Sequence, residues 1–343
     1  MRGRVRPLSR GDSVKRWGAV LVFVLAVGAC TGPEGPSEEE FEPFAEAALL
    51  WVQADESRIQ ILLPLDVKAE SRNAAWIVDG ATRGLYRFSP PAGDYRAMGA
   101  LDFPPEEIEK PARVAVSRQY GLFVYDEELR LVQLFTPDGV PVRDFAPDSP
   151  PSRLELTTRP IGLAMAGIDA TADSLPRLKV VRTDLRGLSR DTLLFPGSHG
   201  PEALWEAIAI GGQVALDASA GGMWALARAV PDTAFELSGT PGDRKRVLRP
   251  EDEEAFGILA DLERGILWVI RHDPETSGTL RYAAYDLELP GTATADEAFR
   301  GERTTPPEFQ PRAAVDGVVI GIRMDGGLQK LAAYDMRVPA RGR

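Results

Sequence analysis

Cysteine is almost absent from this chain: Cys30 stands alone among 343 residues. A single cysteine excludes an intrachain disulfide, and no CxxC pair exists to hold a metal or a redox couple. Histidine is nearly as scarce, with only His199 and His272. A structural zinc site takes about four Cys or His ligands and a zinc-dependent lyase about three, so the chain is short of both. Positive charge is in deficit as well. The formal net charge is −11, and most of the cations near the N-terminus (Arg2, Arg4, Arg6, Arg10, Lys15, Arg16) face only Asp12. The remainder is therefore still more acidic, which repels phosphate backbones and argues against a nucleic-acid partner. No G-x-S-x-G elbow supplies a serine nucleophile. Gly211-Gly212 and Gly221-Gly222 lack the strand–loop–helix setting of a phosphate cradle.

What is present first is an address. Residues 1–17 are basic, and Ala19 to Ala29 (AVLVFVLAVGA) is an unbroken run of apolar and small residues. It falls short of the roughly 20 residues that span a bilayer, and reads as the h-region of a secretory signal. Val27-Gly28-Ala29-Cys30 resembles the bacterial lipobox. By that resemblance residues 1–29 are a lipoprotein signal peptide, and Cys30 becomes the acylated first residue of the mature chain. The alternative is ordinary cleavage after Val-Gly-Ala, which leaves Cys30 as a free thiol. Several acyl chains on one residue anchor firmly, since each buried CH₂ contributes about 0.8 kcal/mol. Residues 30–45, rich in Pro, Gly, Ser and Glu, read as a flexible tether. Thr31 follows the cysteine where an inner-membrane retention aspartate stands in enterobacterial lipoproteins. By that analogy the chain moves on to an outer membrane, if its host has one.

The body carries a repeated strand pattern. Ala75-Trp76-Ile77-Val78-Asp79 is an apolar run, followed by a turn at Gly80 to Gly84 and a second strand at Leu85 to Phe88. The same beat recurs at Arg113 to Val116, Leu122 to Asp126 and Leu129 to Phe135. There Thr136-Pro137-Asp138-Gly139 closes a β-hairpin, because Pro presets one turn residue and Gly accepts a positive φ. Later copies run through Val214 to Leu226, Phe256 to Leu287 and Ala313 to Met336, with a fainter one at Ile161 to Val181. The anchors Trp76, Phe123, Leu163, Trp224, Trp268 and Val319 recur at a drifting period near 45 residues, the spacing of four-stranded propeller blades. The expected fold is an all-β, six-bladed β-propeller over residues 46–337, with 338–343 a short tail; five or seven blades also fit the blurred third copy. Leu49-Leu50-Trp51-Val52 has no strand partner nearby in sequence, and the last copy stops after three strands. Pairing the two closes the ring and removes exposed edges.

Leu122 to Gly139 (LFVYDEELRLVQLFTPDG) resembles the NHL repeat of six-bladed propellers, and Ala75 to Gly93 matches it more loosely. The whole body is similar to six-bladed propeller lipoproteins of environmental bacteria. That resemblance implies a binding or scaffolding surface on the loop-rich ends of the ring. Relatives that are enzymes, lactonases with a channel-bound divalent cation and lyases with zinc, imply the alternative of a metal-dependent hydrolase or lyase.

Asp79, Asp126, Asp217 and Asp261 recur near strand ends, and Asp316 and Asp325 lie in Gly-containing turns. A carboxylate ring at one channel mouth would hold Ca²⁺. The competing account is turn chemistry, in which Asp bonds the backbone of its own turn, and it is preferred because the positions repeat where turns are needed. His199 and His272 read as solvated residues of loops. Trp51, Trp76, Trp224 and Trp268 read as blade packing, and Trp205, in the short helical segment 201–210, as a contact residue. No catalytic residue, metal ligand or cofactor is assigned. The expectation is a monomeric, exported, lipid-anchored propeller of the cell envelope. It binds the membrane through Cys30 and a protein, peptide or glycan ligand through the ring, without catalysis.

Overall fold

The computed structural model of the protein describes residues 44–54, 59–90, 94–98, 108–158, 161–169, 177–195, 215–219, 222–227, 233–236, 245–250 and 255–338, all within the compact unit Phe41–Arg343. The signal and tether, Cys30, His199, Trp205 and the segment 201–210 lie outside the described residues, as do Gly211, Gly212 and Gly221.

The fold is a β-propeller of antiparallel blades. Two short strands open it, β1 (Phe44–Glu46) and β2 (Ala48–Val52). The first sheet holds β3 (Pro64–Ser71), β4 (Ala74–Asp79), β5 (Gly84–Ser89) and β6 (Asp94–Met98). The second holds β7 (Pro111–Ser117), β8 (Gly121–Asp126), β9 (Leu131–Phe135) and β10 (Pro141–Phe145). The third holds β11 (Arg153–Thr158), β12 (Ile161–Asp169), β13 (Arg177–Thr183) and β14 (Ser189–Phe195). The fourth holds β15 (Ala215–Ser219), β16 (Gly222–Ala227), β17 (Thr233–Glu236) and β18 (Lys245–Val247). Next come β19 (Gly257–Asp261), β20 (Ile266–His272), β21 (Leu280–Asp286), the short helix α1 (Ala295–Ala298) and β22 (Phe299–Thr305). Last are β23 (Phe309–Val315), β24 (Val318–Asp325) and β25 (Leu328–Asp335).

The expectation of uniform four-stranded blades needs a correction. Five sheets have four strands, but the sheet of β19–β22 has five, in the order β1-β22-β21-β20-β19. β1 joins it in parallel, with Phe44 opposite Glu302 and Glu46 opposite Thr304. Phe44 and Ala45 therefore lie in a strand, inside the stretch assigned to the tether. The chain then crosses at Ala47, whose N–H donates to the Thr304 carbonyl at 2.9 Å. β2 continues as the outer strand beside β25, Ala48 opposite Asp335 and Val52 opposite Ala332. The segment is thus stitched to the outer edges of two neighbouring sheets. Three residues, Phe-Ala-Glu, carry too little periodicity to show this in sequence.

The core lies between sheets, as alternation dictates for a strand covered on both faces. Along β4, Trp76 and Val78 pack with Val114, Leu122 and Phe135 of the second sheet. Ala75 and Ile77 turn the other way, toward Val318, Ile320 and Leu331 of the last sheet. Trp224 and Trp268 are buried in the equivalent interfaces, and Trp51 is buried with its Nε1–H donating to the Arg72 carbonyl at 2.8 Å. The first strands touch one another in cyclic order, β3 to β7, β11, β15, β19, β23 and back to β3. The hairpin at Thr136 to Gly139 forms as its composition dictates. Gly139 has φ +78°, its N–H donates to the Thr136 carbonyl, and Thr136 N–H donates to that of Val140.

Candidate functional site

The repeated aspartates are clamps for backbone, not a ring around the axis. Asp79, fully buried at the end of β4, accepts from Leu62 N–H and Leu63 N–H with Oδ2 and from Ala81 N–H and Thr82 N–H with Oδ1, at 2.7–3.0 Å. Asp126, at the end of β8, repeats the arrangement with Glu109, Lys110, Glu128 and Leu129. The offsets are the same in both, 17 and 16 residues upstream and 2 and 3 downstream. Each carboxylate thus ties its own turn to the loop that enters the first strand of its sheet. Four donors on one carboxylate satisfy its lone pairs, which leaves nothing facing outward for a cation.

The other aspartates follow local chemistry. Asp261, at the end of the first strand β19, takes Asp316 N–H and Gly317 N–H from the next sheet and Arg264 N–H from its own turn. Burial raises its carboxyl above the ordinary value, although those donors pull the other way. Asp316 has φ +44° in the turn and contributes backbone. Asp325 accepts from Lys330 Nζ at 2.6 Å, which holds its carboxyl low. Asp217 lies in β15 opposite Trp224. Among the described residues no three His, Cys, Asp or Glu converge as a metal site would require.

A cavity of about 770 Å³ opens where the first strands begin, which is a common size for a small-molecule site. Its wall draws on β3, β11, β19, β20, β21 and β23. One part is apolar, with Phe256, Ile258, Ile270, Leu280 and Phe309. His272 belongs to this wall. It is the last residue of β20 rather than a loop residue, it is exposed, and its ring stacks on Phe256 with centroids 4.6 Å apart at 26°. The other part is charged, with Asp66, Lys68, Arg153 and Arg312.

Three of these charges are engaged. Lys68 Nζ lies 3.2 Å from Glu155 Oε2, and both side chains are buried. Asp66 accepts Val67 N–H with Oδ1 and Val114 N–H with Oδ2, each at 3.0 Å. Arg153 donates to the Ser152 carbonyl at 3.0 Å, a carbonyl shared with Arg113 at 2.7 Å. Arg312 is exposed to the cavity. Among the described residues it makes no ion pair, and its contact to Gln310 Oε1 is a long 3.5 Å. Crowding by the surrounding strands, then the charge of Arg153, lower its guanidinium pKa, while Asp66 opposes the shift. The charge of Arg153 thus adds to the cost of holding Arg312 charged.

The aspartates and His272 were visible in the sequence as residue types, but the cationic wall was not. Lys68, Arg153 and Arg312, which line the cavity, each sit on the first strand of a different sheet, and Arg113 sits on that of the second without lining it. A lone cation in the opening strand of a copy, present in four of the six and absent from β15 and β19, is the signal that could have found them.

No family model matches the chain, and no curated protein matches it. Solved structures show the fold. A Bacteroides fragilis protein named as an exported one is 12% identical with a TM-score of 0.52, covering 86% of this chain and 95% of its own. The PQQ-bound aldose sugar dehydrogenase of Streptomyces coelicolor is 14% identical with a TM-score of 0.49, covering 84% and 98%. The calcium-binding protein regucalcin of Agrobacterium tumefaciens is 13% identical with a TM-score of 0.46, covering 86% and 97%. What the chain shares with the first of these is its fold.

Proposed function

We propose that the chain is an exported propeller of the cell envelope, carried on a lipid at Cys30, which binds a ligand in its axial cavity without transforming it. The carrying observation is the cavity's chemistry. It offers apolar surface and guanidinium groups, while the Asp66 oxygens are each taken by a backbone N–H. A general acid or base needs a titratable group within reach of a bound substrate, and a nucleophile needs an activating partner. The wall's one histidine is stacked on Phe256, and among the described residues no serine, threonine or cysteine lines the cavity beside it. Export rests on the basic segment and apolar run before Cys30, and lipidation on the lipobox-like tetrapeptide. The name of the Bacteroides fragilis protein is in keeping with export.

This reading includes a ring of six blades closed by the N-terminal strand. It is supported by the cyclic contacts of the first strands and by the β2–β25 pairing. The ligand is a monomeric protein's own guest, and nucleic acid is disfavoured by the net charge of −11.

The competing reading, a Ca²⁺-dependent lactonase-like hydrolase or lyase, needs carboxylates aimed at the axis. Asp79 and Asp126 spend theirs on backbone amides. The test is hydrolysis of glucono-δ-lactone with and without 1 mM-scale Ca²⁺, Mn²⁺ or Zn²⁺. No turnover above the buffer rate is expected with any of them. Metal-dependent turnover would overturn the non-catalytic reading.

A further inference from the structure

Leu62, Leu63, Met324 and Leu328 are each 41–53% exposed. Leu62, Met324 and Leu328 share the wall of a shallow hollow of about 130 Å³. Their two segments are bound to each other, by an antiparallel bridge between Ile61 and Gln329 and by Gln329 Nε2, which donates to the Leu62 carbonyl at 3.0 Å. Asp79 holds Leu62 N–H and Leu63 N–H, and Gly80 N–H donates to the Leu63 carbonyl at 2.8 Å. The leucines are therefore presented on fixed backbone. Exposed apolar residues scattered singly need no account, but a cluster of them marks a contact surface.

The fold does not ask for leucine here. Asp126 holds Glu109 N–H and Lys110 N–H at the same offsets at which Asp79 holds Leu62 N–H and Leu63 N–H. The two stretches read Ile61-Leu62-Leu63-Pro64 and Ile108-Glu109-Lys110-Pro111. Both isoleucines are buried, and Glu109 is exposed as the leucines are. The same backbone arrangement thus carries a charged pair before the second sheet and an apolar pair before the first.

We infer that this patch docks on a net-neutral lipid surface, that of the membrane in which the lipid of Cys30 is set. This rests on the reading of Cys30 as the acylated residue. Residues 31–43 separate Cys30 from β1 and span at most about 45 Å when fully extended, which keeps the propeller beside the bilayer. Docking is then an intramolecular event, for which a small patch suffices. Four half-exposed side chains fall far short of the roughly 1,200 Å² that a stable soluble complex buries, which argues against a second copy or a free partner. Lys330, in the wall of the hollow, meets Asp325 at 2.6 Å, and the net charge of −11 opposes anionic headgroups. The attraction is therefore apolar. Pro64 and Leu65, the next residues in the chain, line the cavity, so docking brings its mouth to the lipid surface.

The probe is a phosphatidylcholine vesicle doped with a phosphatidylcholine that carries a diazirine on its acyl chain. The exported protein is anchored in it by its own Cys30 lipid or, should Cys30 prove a free thiol, by coupling that thiol to a maleimide lipid. Peptide mapping after illumination reads which segments enter the acyl region. Labelling is expected in the peptides that hold Leu62–Leu63 and Met324–Leu328, with a drop of about fivefold or more in Leu62→Glu/Leu63→Lys. That variant should keep the wild-type melting temperature, since Glu109 and Lys110 occupy the equivalent backbone. If it does not, Met324→Gln/Leu328→Gln gives the same reading. Equal labelling in the wild type and both variants, or none in these peptides, would overturn the inference while leaving the anchor intact. A wild-type dimer in size-exclusion chromatography that both variants lose would also overturn it, by giving the patch to a second copy. Patch labelling of the maleimide-coupled protein, with no native lipid found on Cys30, would uphold the docking surface while the acylation reading fails.

Discussion

Lys68 on β3 reaches Glu155 on β11, Nζ to Oε2 at 3.2 Å, and so links the first sheet to the third past the second, which lies between them in the ring. The pair is buried, with side-chain exposures of 10% and 3%. It ties together two strands that also carry Asp66 and Arg153 into the cavity wall.

Removing one partner should therefore cost more than removing both. Glu155→Ala leaves an ammonium buried without its counter-charge, a loss of about 3–5 kcal/mol. The double variant Lys68→Met/Glu155→Leu replaces the pair by apolar volume and should recover most of that loss. Urea unfolding of the two variants and the wild type gives the comparison. A double variant as unstable as Glu155→Ala would show that the pair is not the reason for the loss.

The aspartate clamps make a second prediction. Asp79→Ala takes the acceptor from the part-buried Leu62, Leu63, Ala81 and Thr82 N–H groups. A net hydrogen bond is worth about 0.5–1.5 kcal/mol and water can reach part of these donors, so the variant should lose about 2 kcal/mol. Asp126→Ala should behave alike, because its four donors repeat the arrangement. Since these oxygens are occupied, Ca²⁺ should leave the wild-type melting temperature unchanged. A calcium-dependent rise that disappears in Asp79→Ala would return these residues to a metal site.

Stitching by the N-terminal segment gives a third. Deleting residues 46–55 removes β2 from β25 and cuts β1 loose from β22. Two edge strands are then exposed, and unpaired edges lower stability and invite association. Thermal melting should fall sharply, with larger species appearing in size-exclusion chromatography. An unchanged midpoint would contradict the role of this strand in closing the ring.

Cys30 gives a fourth. In a bacterial host the full chain should incorporate labelled palmitate and fractionate with membranes. Cys30→Ala should lose the label and become soluble in the compartment to which it is exported. Label retained in Cys30→Ala would place the modification elsewhere, and a soluble wild type would remove the anchor.

Much of the architecture was legible in the sequence because blades repeat a physical unit. The runs at Ala75 to Asp79 and Leu122 to Asp126 became β4 and β8. Gly139 was needed for its positive φ and has it. Even the pairing of Leu49 to Val52 with the final sheet followed from counting strands without partners, and β2 lies beside β25. The parallel strand β1 was hidden because three residues carry no period. The cavity was hidden for a different reason. Lys68 and Glu155 stand 87 residues apart, and only the packing of successive sheets brings them together. His272 could be named as scarce, but its stacking on Phe256 depends on how β20 ends beside the entry to β19.

The most direct test of the cavity as the functional site is photolabelling of the full chain with 4-benzoylbenzoate, an aromatic carboxylate that cross-links where it binds, followed by peptide mapping. The account predicts saturable labelling confined to peptides that line the cavity, those containing Phe256 to Leu259 and Phe309 to Arg312 above all, and loss of that labelling in Arg312→Gln. Labelling that maps instead to the outer strands, or that is the same in Arg312→Gln, would contradict it.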